Sequence, residues 1–157
     1  MNVSTVAPPA DARSWLAGAQ FIDAFSVTVA EAPLNARRAA QRVFGTSPRW
    51  VQMLLALRDA TVAPFGLRTS KSARQAGIDK VGMFPVVSET PERIVSGFDD
   101  KHLDFRALID VAAVPGGTRI TATTVVLTHN LLGRVYLAVI APFHCIIVRS
   151  MLRQAAG

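Results

Sequence analysis

The chain has a single cysteine, Cys145, in 157 residues. No intramolecular disulfide can form, so the fold must hold by packing. No C-x-x-C pair exists, which removes the usual structural zinc site. No H-x-x-x-H spacing links His102, His129 and His144, and no metal is expected. The sequence has no G-x-G-x-x-G and no nucleophile elbow. No basic n-region followed by an apolar h-region opens it, so no leader is expected and a cytoplasmic location is. No run of about 18 uncharged apolar residues occurs, so no transmembrane segment is expected. The longest apolar stretch, Val135 to Val148, contains Pro142 and His144 and is bounded by Arg134 and Arg149. It reads as a buried core helix.

Half of the residues are apolar and 18% are charged. That composition suits one domain over residues 1–157 with a single core. The net charge is +6 and unevenly placed. Leu34 to Lys80 holds nine basic residues against Asp59 and Asp79. Such a field steers acidic partners, and its ordinary reading is a solvated helical face with a loop. Few aromatics interleave with these cations, so nucleic-acid binding is not expected.

Residues 1–19 have two prolines and no clear period, and read as a loose arm. Phe21, Phe25, Val27 and Val29 alternate with smaller residues and predict a strand; Asp23 is the exception on that face. Two shorter helices are expected next. The first covers Leu34 to Phe44, and the second begins at the Ser47–Pro48 cap pair. Leu67 to Gly82 is a long basic connection. A meander of strands follows. Pro85 demotes its strand to an edge or a bulge. Leu103, Phe105, Ala107, Ile109 and Val111 alternate, and Pro115-Gly116-Gly117 marks a turn. Thr118 to Thr128 has strand composition. A long helix capped by Asn130 closes the chain. Its Tyr136, Ile140, Phe143 and Ile147 side is expected to meet the sheet. The class is α+β: an antiparallel sheet of about five strands or more against a long C-terminal helix.

Two stretches resemble a bacterial family known only as a domain of unknown function. They are Asp99-Asp100-Lys101-His102-Leu103-Asp104-Phe105-Arg106 and His129-Asn130-Leu131-Leu132-Gly133-Arg134, continuing to Pro142-Phe143-His144. The resemblance covers about Phe21 to Leu152. The element order is similar to the helix-grip superfamily of START domains, polyketide cyclases and birch-pollen-type allergens. That resemblance implies a sheet wrapped around the last helix, with an apolar ligand between them in many members. It supplies no catalytic residues and no cofactor.

On this reading the ligand-lining candidates are Phe105, Ile109, Val125, Tyr136, Ile140 and His144. The expected partner is a largely apolar small molecule, with a homo-oligomer also open. An enzyme of cyclase or hydrolase type on the same scaffold would use His102, Asp104 or His144. There a carboxylate such as Asp104 would orient His102 as a base. An accessory or oligomerisation domain without a ligand is the third reading.

Overall fold

The computed structural model describes residues 2–30, 33–45, 79–82 and 84–157. It contains one seven-stranded antiparallel sheet in the order β1-β2-β7-β6-β5-β4-β3. The strands are β1 (Ser4–Thr5), β2 (Phe21–Val29), β3 (Lys80–Val81), β4 (Phe84–Glu89), β5 (Arg93–Asp99), β6 (Leu103–Val114) and β7 (Gly117–Thr128). Helix α1 (Ala36–Gly45) follows β2, and helix α2 (Leu131–Ala156) ends the chain. The architecture is the expected α+β arrangement. The second short helix expected from Ser47 lies outside the described residues, as does most of the Leu67–Gly82 connection. Within that connection Lys80 and Val81 form β3 against Pro85 and Phe84.

The long hairpin β6–β7 turns on Pro115 and Gly116, which connect the Val114–Gly117 pair. Gly116 has φ +88° after a proline, the order a type II turn requires. Pro85 sits beside the two-residue β3, and β4 shifts register between Val86 and Ser88. The missing N–H is thus placed near an edge, as expected.

Alternation gives the sheet two faces. Phe25, Val27, Ile94, Ile109, Ile120 and Ala122 share one core with α1 and the C-terminal half of α2. Helix α1 contributes Ala36, Ala39, Ala40 and Val43, all buried. Its small side chains let the helix lie close to the sheet. Val95, Leu108 and Val125 face the other side, where Ala12, Leu16 and Ala19 cover them.

The N-terminal residues, expected to be loose, are packed. Ser4–Thr5 pairs with Ser26 and Phe25, and a 3-10 turn (Ala12–Trp15) stands on the second face. The cause is that buried strand residues such as Leu108 need cover on this side too. Arg93 fixes the cover by bonding Asp110 beside it and Asp11 in the N-terminal stretch. A second bridge runs from Arg37 on α1 to Asp79 and Glu89.

These bridges set a pH dependence. The hydrogen bond from Arg93 holds Asp11 below its ordinary pKa, and those from Arg37 do the same for Asp79 and Glu89. A carboxylate with a lowered folded pKa contributes stability above its unfolded value, about pH 4. That contribution disappears as pH falls through the folded value. The wild-type urea midpoint should therefore drop on acidification below about pH 4 by more than that of Arg37→Ala. Equal drops in both proteins would remove this bridge from the account.

Helix α2 runs unbroken for 26 residues through Pro142, which faces solvent. By length and composition it is apolar enough to cross a membrane, with a mean hydropathy of 2.0 over its best 18-residue window. The absence of an uncharged run had argued otherwise, because Arg134 and Arg149 interrupt it. In this fold the helix's C-terminal end is part of the core through Met151, Leu152 and Ala155. Its N-terminal half is largely uncovered, and Phe143, expected to meet the sheet, is 49% exposed.

Candidate functional site

Register places one row of apolar side chains across the helix-facing side of the sheet. Phe21 pairs with Val126, Val126 with Phe105, and Phe105 with Phe98. Phe84 lies 5.2 Å from Phe105 and 6.5 Å from Phe98 between ring centroids. Phe44, at the end of α1, stands edge-on to Phe84 at 5.3 Å. Phe44, Phe84, Phe98 and Phe105 are all half-buried. An aromatic cluster of this kind is an apolar shelf that is not fully closed.

The other end of the row meets α2. Tyr136, Ile140 and His144 recur every four residues and are half-buried. His144 Nε2 lies 3.3 Å from Asp23 Oδ1, and both side chains are 20% exposed. The Phe21 ring packs edge-on to the imidazole at 5.7 Å. An ionised carboxylate only accepts, so Nε2 carries the proton and donates it to Asp23. In the neutral ring Nδ1 is then left with a lone pair. Asp23 is the residue that broke the apolar alternation of β2, and its partner is the histidine on the apolar side of α2.

His144→Phe should therefore cost stability, because it leaves the Asp23 carboxylate without its donor. An unpartnered, largely buried acceptor costs about 1–3 kcal/mol. Asp23→Asn with His144→Phe should recover part of that loss. Thermal melts of both single variants and the double variant check it, and additive losses would show that the pair is not coupled.

The remaining candidates lie elsewhere. Ile109 is 1% exposed and sits deep in the core beside Ile94, away from the open part of the row. Val125 points to the opposite face, with Leu108 and Leu16, so the sheet separates it from His144. Phe105, Tyr136, Ile140 and His144 remain on the helix-facing side.

Strand β6 begins at Leu103, so His102 belongs to the preceding turn and the alternation does not extend to it. Asp104 meets His129, Nε2 to Oδ1 at 3.0 Å. His102 Nδ1 lies 2.8 Å from the Asn130 amide nitrogen, which can only donate, so the His102 ring proton is on Nε2. Asn130 Oδ1 accepts from Gly133 N at 3.0 Å and caps α2. The His102 carbonyl accepts from His129 N at 2.9 Å. The two sequence stretches around His102 and His129 thus form one junction, which anchors the start of α2 to the β5–β6 turn. Arg106 reinforces it by bridging Asp99 at 2.8 Å and bonding the Phe98 and Phe105 carbonyls.

Among the described residues no group of three or more His, Cys, Asp or Glu side chains converges to hold a metal. An open cleft of about 350 Å³ lies at the other end of the sheet, with Arg38, Pro91, Glu92 and Val111 in its lining and none of the candidate residues. Sequence reasoning missed Asp23, Phe44, Phe84 and Phe98. A charged residue on an otherwise apolar strand face was the signal available for Asp23. The three phenylalanines come from separate elements, and only strand pairing together with the packing of α1 on the sheet brings them together.

A family model described as a protein of unknown function (DUF2867) matches residues 15–151. No curated protein matches the chain, and no solved structure does. The matched residues include both halves of the α2 junction, the whole aromatic row and the Asp23–His144 pair. The chain belongs to the DUF2867 family.

Proposed function

We propose that the chain is a binding module of helix-grip type for a largely apolar small molecule. The ligand lies on the helix-facing side of the sheet, along the row from Phe44 to His144. The observation that carries this reading is the half-buried quartet Phe44, Phe84, Phe98 and Phe105. Ligand sites combine apolar walls with a few placed polar groups. Here the polar element is the Asp23–His144 pair at the end of the row.

Native mass spectrometry of protein purified from its own host should show a copurified small molecule. Titration with the apolar fluorophore anilinonaphthalene sulfonate should be saturable, and Phe105→Ala should weaken it by about tenfold or more, as expected for loss of a buried ring. Absence of both a copurified mass and saturable binding would leave an accessory domain without a ligand.

A second reading, a cyclase- or hydrolase-like enzyme, draws support from the same histidine. Asp23 fixes its tautomer and leaves Nδ1 available as a base. Turnover of the copurified compound that is lost in His144→Gln, with binding retained, would favour it.

A further inference from the structure

Helix α2 presents a continuous apolar line to solvent. Leu131, Val135, Val139, Phe143 and Ile146 are between 49% and 72% exposed. With Pro142 they fall within an arc of about 120° at 100° per residue. From end to end the line is about 22 Å long. Single exposed apolar residues are ordinary, but a contiguous stripe on one helix marks a contact surface.

Charge selects the occupant. Arg153 continues the same arc beyond Ile146, and Arg134 borders it at the other end; Arg149, on the same arc, is half-buried, lying over the Phe25 ring and donating to Thr5 Oγ1. From Val111 to Gly157 there is no aspartate or glutamate. A second copy docked antiparallel about Pro142 would bring the exposed Arg134 of one helix toward the exposed Arg153 of the other, with no carboxylate on either helix. A self-complementary interface needs the opposite. An anionic lipid surface supplies both an apolar layer and negative charge.

We propose that the exposed line of α2 seats the protein on an anionic membrane, with the helix lying in the interface plane. It lies on the bilayer rather than crossing it. Met151, Leu152 and Ala155 hold one end in the core, and Gly133 abuts the His102 carbonyl at the other. The proposal does not depend on a ligand in the aromatic row.

The test is flotation of the full chain with vesicles of phosphatidylcholine and phosphatidylglycerol, against phosphatidylcholine alone. The expected result is binding to the mixed vesicles that falls with added salt. Val139→Asp and Phe143→Asp should each weaken it by about tenfold or more, with circular dichroism unchanged because both positions are exposed. Arg134→Gln and Arg153→Gln should each weaken it about fivefold. Equal retention on both vesicle types, or on neither, overturns the proposal. So does a dimer in analytical ultracentrifugation that Val139→Asp dissociates, since a second copy would then cover the line.

Discussion

Gly133→Ala should destabilise the protein, although alanine is the better helix former. Near a helix start the exchange ordinarily gains up to about 1 kcal/mol. At Gly133 a Cβ would stand 2.2 Å from the carbonyl oxygen of His102 and 3.4 Å from Thr128 Cβ. The first obstacle is backbone, so no side chain can rotate away. Either α2 or the β5–β6 turn must move. Movement also strains the Asn130 cap, the Asn130–His102 bond and the His129 N to His102 O bond, which all converge there. Overpacking costs about 1–3 kcal/mol, and loss of a cap about 0.5–2 kcal/mol. Those terms exceed the propensity gain. The urea midpoint should fall, with a net loss of about 1–3 kcal/mol. A midpoint at or above wild type would falsify the junction as the anchor of α2.

The same junction shows what the sequence made legible. Strand periods were readable at β2, β6 and β7 because each strand has a covered apolar face. Pro115-Gly116 announced its hairpin, and Asn130 announced the start of α2. Contacts made through turns were not readable. His102 lies one residue before β6, in a turn, so strand alternation could not show that Asp104 pairs with His129. Val125 failed for a different reason. The sheet is buried on both faces, so an apolar residue at either parity fits a strand, and only register shows which side it occupies. The orientation of α2 was ambiguous because the helix is apolar on nearly every side. Tyr136, Ile140 and Ile147 face inward as expected, but Leu131, Val135, Val139 and Ile146 are equally apolar and face out. The site was legible as its helix half, Tyr136, Ile140 and His144. Its sheet half depended on pairing three separate strands.

Uneven cover along α2 sets the last expectation, a graded response to truncation. Leu152 is 0% exposed and lies in the core with α1 and β2. Leu152→Ala should cost about 2–5 kcal/mol, the range for a packed leucine whose site cannot collapse. Ile140 would cost as much if the helix were equally packed throughout. It is only half-buried, about one turn before His144, so Ile140→Ala should cost less than about 2 kcal/mol. Val139→Ala, on the exposed line, should stay within about 0.5 kcal/mol. Urea midpoints at neutral pH give the order directly. Equal losses at Ile140 and Leu152 would mean that the N-terminal half of α2 is as firmly packed as the rest. The open end of the aromatic row would then be closed by the helix, with no room for a ligand. The graded order instead leaves α2 held at its two ends, by Gly133 and by Leu152, with the least support between them. That middle is the part of the helix facing the row on one side and solvent on the other, and amide exchange there should be faster than at Leu152.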